Sequence, residues 1–491
     1  MTRKSIVCSF LLGVSCFIVI GVYGENMLSR TISKGNYHDA IRGLHSFKTS
    51  LTRHDSIAST TSSSFSPSPS SQPTEGMNNP KEYHVTSYGA DPTGTSDSTD
   101  AILAAIADAA NGLSEEHLME GIRNLGGAQI NLEGGNYLIS RSIKLPEAGV
   151  GNLMIHGGTI KASDNFPEEG YIIDLSPSSN SSSSSYNFEY ITLKDLLLDS
   201  KYRGGGISVI NSVRTNIENC YITHFTTNGI LVKSGHETYI RNSFIGQHIT
   251  AGGDQQERNF TGIGINLQGN DNAVTDVVIF SADIGILVTG QANTFSGIHC
   301  YNKATGFGGT GIYLQLPGLT QTRIVNSYMD YTSIVAEDPV QLHISSTFFL
   351  GDANIVFKSI HGVVNGVTIV DNMFSGSNQG VEIVHLDESN NSNFHEIDQV
   401  VVDRNIVRGM KLKATVAKMS MEGNGSLWNV DFNNILIFPN LIKNVQYSLS
   451  SVGTTFPNHA LRNVSDNKVV IQTNEAVVAN VFVTVDQSGV S

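Results

Sequence analysis

Three aspartates, Asp254, Asp283 and Asp330, stand at intervals that a coiled chain brings onto one edge. A protonated carboxylic acid and an ionised carboxylate on opposite sides of a bond can protonate the leaving group and activate water. An inverting pair of this kind stands roughly 6.5–9.5 Å apart, one or two strand spacings of about 4.8 Å. Asp254 is the candidate acid, with Asp283 and Asp330 as candidate bases. Asp283 interrupts an otherwise apolar strand start, although a corner carboxylate bonding backbone amides fits it equally well. Asp254 lies between Ile245 and Gly262 with His248, Glu257, Arg258 and Asn259. That charged stretch reads as a binding loop on one face of a repeat, or as a solvated loop carrying a glycan.

The ruler for these intervals is a motif of Ile-x-Asn-(Cys/Ser)-aromatic. It recurs as Ile217-Glu218-Asn219-Cys220-Tyr221, Ile240-Arg241-Asn242-Ser243-Phe244 and Ile324-Val325-Asn326-Ser327-Tyr328. A looser copy is Val370-Asp371-Asn372-Met373-Phe374. Asn219 to Asn242 is 23 residues, and Asn326 to Asn372 is 46, twice that. Interleaved with it, Gly-Ile begins aliphatic runs at Gly229, Gly264, Gly285 and Gly311. Short β-branched runs at a fixed period bury their apolar side chains only by stacking coil on coil. The expected fold is all-β, a right-handed parallel β-helix. Gly229 to Gly264 is 35 residues against 21 and 26 for the next two intervals, so the excess falls in the Ile245–Gly262 stretch.

The ends of the solenoid need covering. Val85–Tyr88 reads as a short strand leading to the turn Gly89-Ala90-Asp91-Pro92-Thr93-Gly94. A capping helix is expected from Ser98 with Asp97 as N-cap, its apolar face formed by Ile102, Ile106 and Ala109. Residues 1–24, with Arg3 and Lys4 ahead of an apolar run, read as a secretory signal peptide. Residues 25–81, rich in Ser, Thr and Pro, read as a disordered segment. The β-helix is expected over 82–440 and capping strands over 441–491. Sequons at Asn180, Asn259, Asn390, Asn424 and Asn463 fit the extracellular route. A net charge of -14 argues against nucleic acid. No membrane partner is expected after signal cleavage, and a monomer is expected. Cys220 and Cys300 both precede a Tyr, three coils or about 14 Å apart, too far for a disulfide. Two buried free thiols are the expectation.

The segment Tyr88-Gly89-Ala90-Asp91-Pro92-Thr93-Gly94-Thr95-Ser96-Asp97-Ser98-Thr99 resembles the opening motif of pectin-lyase-like β-helix proteins. The run from Gly229 to Ser243, with Ser234-Gly235-His236-Glu237 at its centre, resembles the divergent plant polygalacturonases of the Quartet type. Gly269-Asn270-Asp271-Asn272-Ala273-Val274-Thr275-Asp276 and Ala336-Glu337-Asp338-Pro339-Val340-Gln341 do so too. The resemblance runs from about Tyr83 to the C-terminal strands. It implies a secreted, extracellular enzyme of the plant cell wall that hydrolyses pectic polygalacturonan with inversion, using no cofactor or metal. The Asn-Thr-Asp, Asp-Asp, Gly-His-Gly and Arg-Ile-Lys motifs of ordinary polygalacturonases are missing, so their catalytic residues do not transfer. A galacturonate polymer calls for cations, for which Arg258, Lys303 and Arg323 are candidates, with His248 to orient the acid. His236 is expected to be a structural corner residue. A lyase on the same scaffold and a non-catalytic pectin-binding wall protein are the alternatives.

Overall fold

The computed structural model describes residues 81–112, 116–176, 186–248, 259–302, 308–318, 321–389, 392–454 and 456–489. The chain divides into Met1–Gly76 and Met77–Ser491. The first unit, with the expected signal peptide and most of the Ser/Thr/Pro segment, lies outside the described residues. Asp254, Arg258, Lys303, Asn180 and Asn390 lie outside them as well.

Among the described residues, the second unit is a parallel β-helix of 32 strands followed by a four-stranded antiparallel sheet. From Asn216 to Asp387 each coil contributes one strand to each of three parallel sheets. Sheet I stacks Asn228–His236, Ile263–Asn270, Ile284–Val288, Gly309–Leu314, Thr332–Glu337, Ile355–Lys358 and Val384–Asp387. Sheet II includes Asn216–Glu218, Tyr239–Arg241, Ala273–Thr275, Thr294–Ser296 and Thr322–Val325. Sheet III includes Tyr221–Thr223, Phe244–Gly246, Val278–Phe280, His299–Cys300 and Tyr328–Asp330.

The Gly-Ile motif has a steric origin. Ile230, Ile265, Ile286 and Ile312 stack in register inside the solenoid. A Cβ on Gly229 would stand 2.6 Å from the Gly264 carbonyl oxygen, and one on Gly264 2.5 Å from that of Gly285. Only glycine lets neighbouring coils approach this closely. The Asn motif marks the corner from sheet II to sheet III, where Asn219, Asn242 and Asn326 take left-handed backbone, which Asn tolerates better than most residues. In the looser copy the corner residue is Asp371, at φ 57°. Met373 pairs with Phe348, which pairs with Tyr328. Asn372 is therefore one place beyond the corner, and its side chain bonds inside the solenoid to Ile344 and Thr347. The interval of 46 is a coincidence of two unequal coils.

The helix α1, Thr99–Ala110, has Ser98 as its N-cap, one residue later than expected. Asp97 instead accepts the Thr99 amide at 2.9 Å and the Ser140 hydroxyl at 2.5 Å. Ile102, Ala105, Ile106 and Ala109 of α1 join the β-helix core. The first strand is Glu82–His84, and Val85–Tyr88 is a 3-10 turn closed by Gly89 in left-handed backbone. At the other end the antiparallel sheet begins with Val416–Asp431, ahead of the boundary expected at 441. Ile437 and Phe438 pack into the β-helix core, while Trp428, Phe432, Val469 and Ile471 form a second core. Cys220 and Cys300 are both free and buried. They do not occupy one point of the coil: Cys300 aligns with Ile222 and Cys220 lies two places earlier. Burial pushes the Cys220 thiol up to about 12.

Candidate functional site

Connection lengths single out one face. From sheet II to sheet III each corner takes two residues, as at Asn219-Cys220, Asn242-Ser243 and Asn326-Ser327. Sheet I is flanked by longer excursions, 247–262 and 301–308 on its sheet III side and 315–321 and 388–395 on its sheet II side. Function concentrates on such loops, so the outer face of sheet I between them is the candidate groove floor.

The floor is polar at both ends. At the top, Asn228 donates to the Tyr171 hydroxyl at 2.7 Å, Asn266 donates to Asn228 at 3.1 Å and Gln268 to Asn266 at 3.1 Å. Asp174 beside them is paired with Lys144 at 2.8 Å. Lower down, three coils bring together Tyr313, Glu337 and Lys358. Lys358 Nζ donates to Glu337 Oε1 at 2.9 Å and to the Tyr313 hydroxyl at 2.9 Å, and Tyr313 donates to Glu337 at 2.5 Å. Hydrogen bonds from Lys358 to Tyr313 and Glu337 hold the ammonium protonated and raise its pKa.

The edge between sheets III and I carries the sequence-predicted carboxylates. Asp283 directly precedes Ile284–Val288, and its amide donates to Gly262 of the previous coil at 2.9 Å. The fully buried Asn302 pins that corner, donating to the Thr310 carbonyl at 2.8 Å and the Ala282 carbonyl at 3.3 Å. Asp330 ends the strand Tyr328–Asp330, aligned two coils from Phe280. The rings of Phe280 and Tyr301 stack at 6.1 Å along the same row. Burial raises the Asp330 carboxyl above the usual carboxylate range. His248 lies on the same edge with Tyr202, His224 and Phe260 around it. Arg323 is different: it points outward from sheet II, away from the floor. His236 ends its strand at the sheet I to sheet II corner, 3.3 Å from Asp271. Among the described residues no group of His, Cys, Asp and Glu is arranged to hold a metal ion.

Polygalacturonase QRT3 of Arabidopsis thaliana is 62% identical to this chain over 453 residues, covering 92% of each. The chain belongs to the plant polygalacturonases. A family model described as Rhamnogalacturonase A/epimerase, pectate lyase-like, also matches residues 83–311 of this polygalacturonase. Among solved structures, it is similar to ORF18 of Geobacillus virus E2, with TM-score 0.48 and 12% identity, covering 80% of this chain and 76% of that one. It is also similar to the A-module of the Azotobacter vinelandii mannuronan C-5 epimerase AlgE4, with TM-score 0.39 and 14% identity, covering 67% and 96%.

Sequence reasoning missed Tyr313, Glu337 and Lys358. The signal was present in the Gly-Ile register. Positions one and three after the stacked Ile face outward, and Tyr313, Glu337 and Lys358 hold them after Ile312, Ile334 and Ile355. Asp199, which the sequence places in or beside an apolar strand, pairs with His224 at 2.7 Å on the polygalacturonase's groove edge.

Proposed function

We propose that this polygalacturonase is secreted to the plant cell wall and hydrolyses α-1,4-galacturonosyl bonds of pectin with inversion, along the outer face of sheet I. Asp330 is the general acid and Asp283 the general base. The observation that carries these roles is the burial of Asp330, which favours the protonated carboxyl that must protonate the leaving oxygen. Asp330 aligns with Phe280, three residues ahead of Asp283, and the two carboxyls stand two coils apart, about 10 Å along the axis, against the roughly 6.5–9.5 Å of an inverting pair. Lys358 supplies a cation on the floor for a substrate carboxylate, and Arg258 and Lys303, outside the described residues, are assigned the same role from the sequence alone.

Secretion rests on the signal-peptide layout of residues 1–24. The described sequon asparagines Asn259, Asn424 and Asn463 are exposed, as glycan attachment requires.

Release of reducing ends from polygalacturonan tests the assignment. Asp283→Asn and Asp330→Asn should each lower the rate about 10²–10⁴-fold with an unchanged circular dichroism spectrum, and EDTA should leave the parent enzyme unaffected. Near-parental rates in both variants would remove the pair from the mechanism.

A further inference from the structure

A row of rings leads along the groove edge toward Asp283. Three consecutive sheet III to sheet I connections supply Tyr202, His224 and His248, and Phe260 returns beside His248. Ring centroids lie 4.8 Å apart for Tyr202 and His224, 6.3 Å for Tyr202 and His248, and 5.9 Å for His248 and Phe260. The Gln247 amide donates to the Ser281 carbonyl at 2.7 Å, so the row continues directly into the corner that holds Asp283. Tyr202 remains 46% exposed, which leaves ring surface for a ligand.

Under the rings lies a polar group. Asp199 Oδ1 is 2.7 Å from His224 Nδ1 and accepts the Lys201 amide at 2.9 Å. Burial opposes its charge, but these hydrogen bonds outweigh burial and keep the carboxylate ionised. Lys161, its ladder neighbour on the previous coil, offsets that charge. Arg203, next to Tyr202 in the chain, donates to the Phe166 carbonyl at 2.6 Å and faces Glu168 at 3.7 Å. The arrangement thus offers aromatic surface and a hydroxyl acceptor, but no described guanidinium left to fork a ligand carboxylate. A galacturonate carboxylate placed here would add a second negative charge beside Asp199, with the Lys161 ammonium already offsetting the first.

We propose that this cluster is a subsite for an uncharged pyranose ring of the pectic polymer. The sugar's apolar face stacks on Tyr202, and its hydroxyls donate to Asp199. The proposal rests on the polygalacturonase reading above, and gives that groove a preference at one end. The uncharged ring has two sources, a methyl-esterified galacturonate within the chain or a neutral sugar.

Affinity electrophoresis separates these, because it reads binding without turnover. The purified protein is run through gels holding de-esterified polygalacturonan, highly methyl-esterified polygalacturonan or a neutral galactan. Tyr202 has left-handed backbone at φ 59°, so Tyr202→Asn removes the ring while keeping a residue suited to that conformation. Tyr202→Phe keeps the ring. The expected result is a loss of affinity of about 2- to 10-fold for Tyr202→Asn in an uncharged gel, none in the de-esterified gel, and parental behaviour for Tyr202→Phe. The gel that responds identifies the source. Equal losses in all three gels, no loss in any, or a parent protein that neither uncharged polymer retards would overturn the proposal. Selective retardation together with absent hydrolysis would instead count against the hydrolytic reading alone.

Discussion

Burial decides which carboxyl holds a proton in this groove. Asp330 is pushed above the ordinary carboxylate range by desolvation, whereas Asp199 is held below it by hydrogen bonds that outweigh its burial. A raised folded-state pKa means that the native protein binds the proton more tightly than the unfolded chain. The resulting stability is fully present below the unfolded pKa and is lost as pH rises through the folded one. Asp330→Asn should therefore match or exceed the parent in urea midpoint at neutral pH, with a weaker decline of stability from acid to neutral pH. The parent's rate should fall on the alkaline side as Asp330 ionises. A variant less stable than the parent at neutral pH, with an unchanged pH profile of stability, would assign Asp330 a structural role. Its environment was not legible in the sequence, because its ladder neighbours Tyr301 and Leu350 come from coils 29 residues earlier and 20 residues later. Only the pairing register brings those residues to it.

At the scale of the element, the coil is set by glycine and by left-handed corners. The Gly-Ile ladder was legible because its steric demand repeats in every copy, and Gly206-Ile207 extends it one coil upward. Gly264→Ala places a Cβ 2.5 Å from the Gly285 carbonyl oxygen and 2.8 Å from Ile279. Two coils must then separate, at a cost of about 1–3 kcal/mol, which a drop in thermal midpoint would register. Gly489→Ala, whose Cβ would meet nothing closer than 3.7 Å, should melt with the parent. Equal melting of both variants would mean that the ladder does not set coil spacing. The Asn corner was legible less far. Any residue that tolerates positive φ serves there, and Asp276, Ser346, Asp371 and Arg404 do so. Counting asparagines therefore drifted by one place at Asn372 and treated unequal coils as a doubled period.

At the largest scale, the unit from Met77 to Ser491 is a solenoid closed at one end by α1 and at the other by the segment around Phe438. Its overall plan was legible because stacked coils repeat one pattern. The start of the antiparallel sheet was not. Val416–Asp431 alternates apolar residues with Ser420, Glu422 and Asn424, as a strand with one wet face does, and no Gly or Pro run separates it from the last coil. The plan leaves sheet I bordered by loops on both sides, and the account places hydrolysis on that face. The anomeric configuration of the first product tests this most directly. Proton NMR of polygalacturonan mixed with the purified protein should show new reducing ends appearing in the β configuration before mutarotation, with no unsaturated uronate, since α-linked substrate is attacked from the opposite face. Products that appear first as the α-anomer, or that carry the near-ultraviolet absorbance of an unsaturated uronate, would contradict it.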